Sequence, residues 1–274
     1  MHSELFSLFG FQLQSYGLCL ALGFILCYLF ARKLAIRTGR NPNEVDTLIT
    51  VAAVCGILGA RSVYVWQNWS TEFAADPLTL FMVWRGGLVF YGGFILASLG
   101  IAAYAVMKRE SILSLGDFCV IFVPLGHAFG RIGCFFHGCC YGALCGDSPA
   151  GVCFPPSSPA FMQQLSMGLI HRSAATALPV YPTQLFEAIG CALLFFLLWT
   201  LYRLKRTARG LCIAVYCCGY ALLRFVGEIF RDDPRGERYF NLSFSQGISI
   251  LLVLFGTLVA LHLLWEKTNG TVRR

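Results

Sequence analysis

Charge is what this sequence has least of. Only 13% of its 274 residues are Asp, Glu, Lys or Arg, against about a quarter in soluble domains. Hydrophobic residues fill 57% of positions. That pairing excludes a soluble globular chain and makes this a polytopic membrane protein. The first residues, MHSELFSLFGFQLQ, lack a basic stretch and do not read as a cleaved signal peptide. There is no internal repeat, low-complexity tract, lipobox or tail anchor. No nucleic-acid motif is present either, and the net charge of +7 follows membrane topology rather than a nucleic-acid partner.

A bilayer core takes about 20 apolar residues to cross as a helix. Seven stretches qualify: about 14–31, 46–67, 87–107, 116–136, 184–202, 210–230 and 244–265. The fold class is therefore all-α, one transmembrane domain over 1–274. Thirteen basic residues fall on one side: Arg32, Lys33, Arg37, Arg40, Lys108, Arg109, Arg203, Lys205, Arg206, Arg209, Lys267, Arg273 and Arg274. Five fall on the other: Arg85, Arg172, Arg231, Arg235 and Arg238. The positive-inside rule then predicts an outside N-terminus and a cytoplasmic C-terminus, as an odd number of spans requires. Two outer segments, about 68–86 and 137–182, are long enough to hold structure. The first carries LTLFMVW among Trp66, Trp69 and Trp84, which suits an interfacial segment. A loop as long as the second is usually functional or disordered.

The informative minority is the set of polar groups inside spans. Arg131 lies in the run LGHAFGRIGCFFHGCCYG, with glycines at 126, 130, 133, 138 and 142. A guanidinium at the centre of a membrane helix costs at least ~2.5–3.5 kcal/mol, so it faces a partner, a cavity or a substrate. Arg61, Arg224 and Glu228 also fall within spans, and Arg224 and Glu228 share a helix face at a spacing of four. Their surplus positive charge suits a phospholipid phosphate, which guanidinium binds with a two-pronged fork. An anion channel or transporter would use it too. The expectation is that Arg131 and Arg224 converge on one cavity. Tyr16 and Tyr91 begin the first and third spans, where a tyrosine donates a hydrogen bond or sits in an aromatic belt. Gly86-Gly87 and Gly92-Gly93 allow close backbone approach.

Thirteen cysteines are many. Eight lie in apolar spans and behave as small hydrophobes. Cys134, Cys139, Cys140, Cys145 and Cys153 cluster at and beyond the end of the fourth span. With His137 they open a different reading, a membrane thiol-redox or metal-binding protein. Their spacing, C-x4-C-C-x4-C-x7-C, matches no zinc pattern and contains no C-x-x-C. In an oxidising outer compartment, at least one disulfide is expected among Cys139, Cys140, Cys145 and Cys153.

Six motifs then fall in one order along the chain: SYGL at 15–18, DPLTLFMVWRGGLVFYGG at 76–93, GRIGCFFHGCCYG at 130–142, YPTQLFEA at 181–188, GYALLRFVGEIFRDDP at 219–234 and SQGISI at 245–250. In this the chain resembles the prolipoprotein diacylglyceryl transferase family over nearly its whole length. The resemblance implies a seven-helix enzyme of the bacterial inner membrane, its site open to the periplasm. Such enzymes move a diacylglyceryl group from phosphatidylglycerol, a membrane lipid, to the lipobox cysteine of a prolipoprotein signal peptide. No metal or diffusible cofactor is implied. By similarity Arg131 and Arg224 match the family's essential arginines, and Tyr16, Glu228, Gly142 and Arg231 occupy further motif positions. The implied catalytic set is Arg224, Glu228, Tyr16, Tyr91 and His137; Arg131, Gly92, Gly93, Gly133, Gly142 and Arg231 form the lipid-binding set.

The chain also departs from the family. Where the family reads S-F-H-G-G, this chain has Val89-Phe90-Tyr91-Gly92-Gly93, so Tyr91 replaces a histidine proposed as base. Its G-N-F-I-N-G-E run is here Gly133-Cys134-Phe135-Phe136-His137-Gly138-Cys139. The phosphate-binding half of the motif set is intact and the acceptor half is altered. A diverged member serving another acceptor thiol is the neighbouring reading.

Overall fold

The computed structural model describes the chain apart from residues 1–3, 9–10, 75, 84–85, 147, 205–207, 232–242 and 269–274. Trp84, Arg85, Lys205, Arg206, Arg235, Arg238, Arg273 and Arg274 lie outside the described residues. A two-stranded antiparallel hairpin, β1 (Glu4–Leu8) and β2 (Phe11–Gln14), precedes nine α-helices among the described residues. These are α1 (Ser15–Thr38), α2 (Pro42–Gln67), α3 (Phe90–Met107), α4 (Ile112–Val120), α5 (Val123–His137), α6 (Pro159–Ser166), α7 (Thr183–Arg203), α8 (Leu211–Ile229) and α9 (Phe244–Thr268). With α4 and α5 taken as one interrupted span, seven helices are long and apolar enough to cross a membrane, matching the seven expected. The interruption follows from Pro124, which cannot donate into the turn before it. Leu251, Leu254, Leu258 and Leu261 of α9 are all exposed. Such faces are stable only where hydrocarbon takes the place of water.

Packing divides the chain into two compact units, Met1–Cys27 with Asp117–Arg274, and Tyr28–Gly116; the boundaries fall within α1 and α4. In the larger unit, the buried carboxylate of Asp117 accepts from the backbone of Gly210 at 2.6 Å and of Ile213 at 3.0 Å. It thereby satisfies amides at the start of α8 that have no partner inside the helix. The 138–182 segment is folded. Ser158 caps α6, accepting from the Phe161 amide at 3.2 Å. Tyr141, Phe154, Phe161 and Val180 close a small core beneath that helix. Bridges from Val180 to Leu144 and Val152 hold the segment against the start of α7.

In the smaller unit, α2 and α3 touch through glycines. A Cβ at Gly92 would overlap the Gly59 carbonyl and the Val63 side chain, and one at Gly93 would meet the Gly56 carbonyl at 2.8 Å. Both glycines expected to meet lipid are thus buried in helix packing. Arg61 is likewise spent inside its own unit. Its guanidinium donates to the carbonyls of Leu80 (2.9 Å), Gly86 (2.8 Å) and Thr79 (2.6 Å) and lies over the rings of Tyr64 and Phe73. The charge therefore staples the 79–87 segment to α2. Arg40 does similar work among the residues linking the helices, pairing with Glu44 at 3.0 Å and with Glu110.

Gly92→Ala should lower the thermal midpoint of the detergent-solubilised protein by an amount matching ~1–3 kcal/mol of overpacking. Gly17→Ala, whose added Cβ meets nothing within 4 Å, should not. Equal midpoints for the two variants would contradict the packing described.

Candidate active site

Three arginines that sequence singled out in the larger unit meet on a residue it did not. Glu187, one turn into α7, is buried, accepts from the guanidinium groups of Arg224 and Arg231, and forms an ion pair with that of Arg131. Arg131 of α5 reaches its Oε2 through Nε at 2.7 Å. Arg224 of α8 donates Nη1 to its Oε1 at 2.9 Å, and Arg231, just beyond α8, donates Nη1 to the same oxygen at 3.2 Å. Arg224 also donates Nη2 to Ser245 Oγ of α9 at 2.9 Å. It lies 3.1 Å from Glu228 Oε2, an ion pair rather than an aimed hydrogen bond. So Arg131 and Arg224 do converge, and on a carboxylate. The signal was present in the sequence: Glu187 is the only acid in an otherwise apolar span, which marks it as functional by default.

The three arginines differ in what they leave free. The side chain of Arg231 is 2% exposed and that of Arg224 9%, whereas that of Arg131 is 18% exposed. Arg131 comes nearest Glu187 through Nε, and its terminal nitrogens make no hydrogen bond among the described residues. Those two N–H-bearing atoms form the fork that matches a phosphate. Among the described residues two carboxylates, those of Glu187 and Glu228, pair with the three guanidinium groups. His127 and Tyr220, ring centroids 4.7 Å apart, stand beside these arginines. Further along, α8 and α9 enclose an apolar groove of about 230 Å³ lined by Ala221, Phe225, Ser249 and Val253 among others.

Backbone contacts fix Arg231. Gly142 pairs with it across a short bridge; the Gly142 amide donates to Tyr181 O at 2.8 Å and the Ala143 amide to Phe230 O at 2.9 Å. A Cβ at Gly142 would stand 2.7 Å from the Phe230 carbonyl oxygen, so only glycine permits this approach. Gly133 has the same function for Tyr16, whose ring carbon Cδ2 would lie 2.9 Å from an added Cβ. Tyr16 borders Arg131 and the thiols of Cys134, Cys139 and Cys140. His137 ends α5, exposed, over a small cleft of about 70 Å³ with Phe154, Pro156 and Ser158. Tyr91 lies in the smaller unit, half-exposed and edge-on to Phe90.

All thirteen cysteines are free thiols, so the disulfide expected in the 139–153 region is not formed. Instead the sulfur atoms of Cys134, Cys139 and Cys140 lie within 4.8 Å of one another. Local geometry explains the cluster. Gly138 takes a left-handed conformation (φ 78°) after α5; its amide donates to Phe135 O at 3.2 Å, and the Cys139 amide donates to Cys134 O at 3.2 Å. This helix-ending motif folds the residue after the glycine back over the residue five before it. Cys140 is itself left-handed (φ 64°), unusual without glycine. Gln184 and Thr183 hold the turn by donating to the carbonyls of Cys139 (2.7 Å) and Cys140 (3.1 Å). The Cys140 thiol is held below its usual range by hydrogen bonds from Cys134 and Cys139, with Arg231 beside it. The same bonds push Cys139 up.

The fold and site define a multi-pass membrane protein with buried arginines gathered on one glutamate. The family model described as prolipoprotein diacylglyceryl transferase matches residues 3–262. The chain belongs to that family. It is 35% identical to phosphatidylglycerol–prolipoprotein diacylglyceryl transferase 2 of Clostridium perfringens (strain 13 / Type A), over 94% of each chain. Identity is 32% to the enzyme of Clostridium tetani (strain Massachusetts / E88), covering 94% of this chain and 96% of that one. It is 31% to that of Burkholderia mallei (strain SAVP1), covering 94% and 92%.

Glu187→Ala strands three buried cations and should destabilise the protein by about 3–5 kcal/mol. Glu266→Gln, at an exposed His262 pair of 3.5 Å, should cost no more than about 1 kcal/mol. Denaturant titration of both variants in detergent measures the difference, and comparable losses would refute the hub.

Proposed function

We infer that the protein transfers a diacylglyceryl group from phosphatidylglycerol to the thiol of a prolipoprotein cysteine, forming a thioether and releasing glycerol phosphate. Family membership supports the reaction. The observation that carries its chemistry is the free fork of Arg131 beside the buried Arg224. Arg131 binds the lipid phosphate, and Arg224, braced by Glu187, Glu228 and Ser245, stabilises negative charge as the phosphate leaves. The acceptor sulfur loses its proton and attacks the glycerol carbon. The carbon–oxygen bond to phosphate breaks, and its electron pair stays on the phosphate oxygen. An acyl chain of the lipid takes the apolar groove between α8 and α9, one turn from Arg224. Tyr16 lines the acceptor side. His137 belongs to the reading as a proton-handling candidate, and Gly133, Gly142 and Arg231 as shapers of the lipid site, whereas Gly92 and Gly93 are taken up by packing against α2 and Tyr91 lies with them in the smaller unit.

The acceptor is the lipobox cysteine of a signal peptide. The protein resides in the bacterial inner membrane with its N-terminus and the 138–182 segment in the periplasm and its C-terminus in the cytoplasm, following the charge asymmetry of its loops. Neither the transporter reading nor a free-standing thiol-redox reading accords with the family match.

The purified protein, given phosphatidylglycerol and a lipobox peptide, should add a diacylglyceryl mass to that peptide and none to its Cys→Ser counterpart. Arg131→Lys keeps the charge and loses the fork. Turnover should fall by about ten- to hundredfold, as loss of a charged hydrogen bond worth ~1.5–3 kcal/mol implies. An unmodified peptide refutes the activity, and an Arg131→Lys variant at the parental rate refutes the role. A membrane-impermeant thiol reagent applied to spheroplasts should label the exposed Cys153, with labelling lost in Cys153→Ser. Labelling only after lysis would invert the orientation.

A further inference from the structure

We propose that Cys134, Cys139 and Cys140 bind a thiophilic metal ion, zinc(II) by preference, with one coordination position open to a thiol from outside. Three sulfur atoms within 4.8 Å of one another suit tetrahedral or trigonal coordination at a metal–sulfur distance of about 2.3 Å. The placement is enforced from three directions. The helix-ending motif at Gly138 ties Cys139 to Cys134, the left-handed Cys140 turns its thiol inward, and Gln184 and Thr183 clamp both carbonyls. A structural zinc site is closed by four protein ligands, whereas three leave a position for water or substrate. Among the described residues no fourth Cys, His, Asp or Glu joins the cluster, and all three cysteines are partly accessible. Three thiolates and zinc(II) carry one net negative charge, and Arg231 and Arg131 stand beside it. The ligand chemistry excludes hard cations such as magnesium, which take oxygen donors.

The role of the site rests on the transferase reading. The acceptor cysteine enters the open position and gives up its proton to solvent, since a coordinating thiol is deprotonated outright. Its sulfur then attacks the glycerol carbon, while the electron pair of the broken carbon–oxygen bond leaves on the phosphate. No oxidant or reductant takes part. The trio so supplies a thiolate from a run, Cys134 and Cys139 among it, in which this chain departs from the family pattern.

Cobalt(II) is the probe. The detergent-solubilised protein, reduced and stripped with chelator under anaerobic conditions, should take up one cobalt per chain with a sulfur-to-cobalt charge-transfer band, displaced by zinc. Cys134→Ser, Cys139→Ser and Cys140→Ser should each weaken binding by more than the about 10–100-fold that changes outside the ligand shell cost; Cys153→Ser should not. Zinc should also shield these three thiols of the parental protein from alkylation, a readout that needs no variant. A lipobox peptide should shift the cobalt spectrum, and its Cys→Ser counterpart should not. Reduced parental protein without the band, or a band that survives all three substitutions, overturns the site. A spectrum indifferent to the cysteine peptide overturns the open position. Metal-free protein transferring lipid at the full rate removes the role but leaves the transferase reading intact. Loaded, peptide-responsive protein that transfers nothing would remove the transferase reading and leave the metal site standing.

Discussion

A single carboxylate, that of Glu187, lets three guanidinium groups share a membrane interior. Each arginine alone would drag water inward or leave the hydrocarbon. Gathered on Glu187, with Glu228 adding a second negative charge, each has a carboxylate oxygen within 3.2 Å. Sharing one carboxylate ties the positions of the three side chains to each other. On the proposed reading, a phosphate would compete with Glu187 for guanidinium N–H groups, and its binding energy would be a difference between two anions on one cluster.

How the cluster is assembled explains what could be read without coordinates. The seven spans were legible because crossing a bilayer demands long apolar runs. Arg131 and Arg224 were legible because charge inside such runs is rare. Arg61 looks the same on paper, yet its donors go to the carbonyls of Thr79, Leu80 and Gly86. Every residue owns a carbonyl, so no side-chain pattern announces such a cage. The same holds for Gly92 and Gly93, whose smallness serves the contact with α2. Glu187 was visible as a lone acid in its span, but its partners Arg224 and Arg231 lie 37 and 44 positions away and Arg131 lies on another helix, and sequence spacing carries no trace of that. The hairpin at 4–14 has only the brief alternation FQLQ to mark it.

The cysteine cluster shows the limit of spacing arguments from another side. C-x4-C-C resembles no familiar ligand pattern when taken as a string. Folded around Gly138, the same interval is one helical turn followed by a reversal, which returns the second thiol to the first. A ligand set defined by a helix end differs from one defined by two knuckles, and pattern tables built from the latter pass it by. The 138–182 segment was similarly opaque, being read as functional or disordered, because its core of Tyr141, Phe154, Phe161 and Val180 is drawn from scattered positions.

The first turn of α7 holds two unrelated things at once. Thr183 and Gln184 grip the carbonyls of Cys140 and Cys139, and Glu187 stands one turn further along the same helix. The thiol-bearing turn and the charge hub are therefore ganged like two teeth on a single gear. A displacement at either one has to be taken up within the same stretch of α7. Two reactants arriving from different surroundings, one from lipid and one from water, would each feel the presence of the other through about five ångströms of helix.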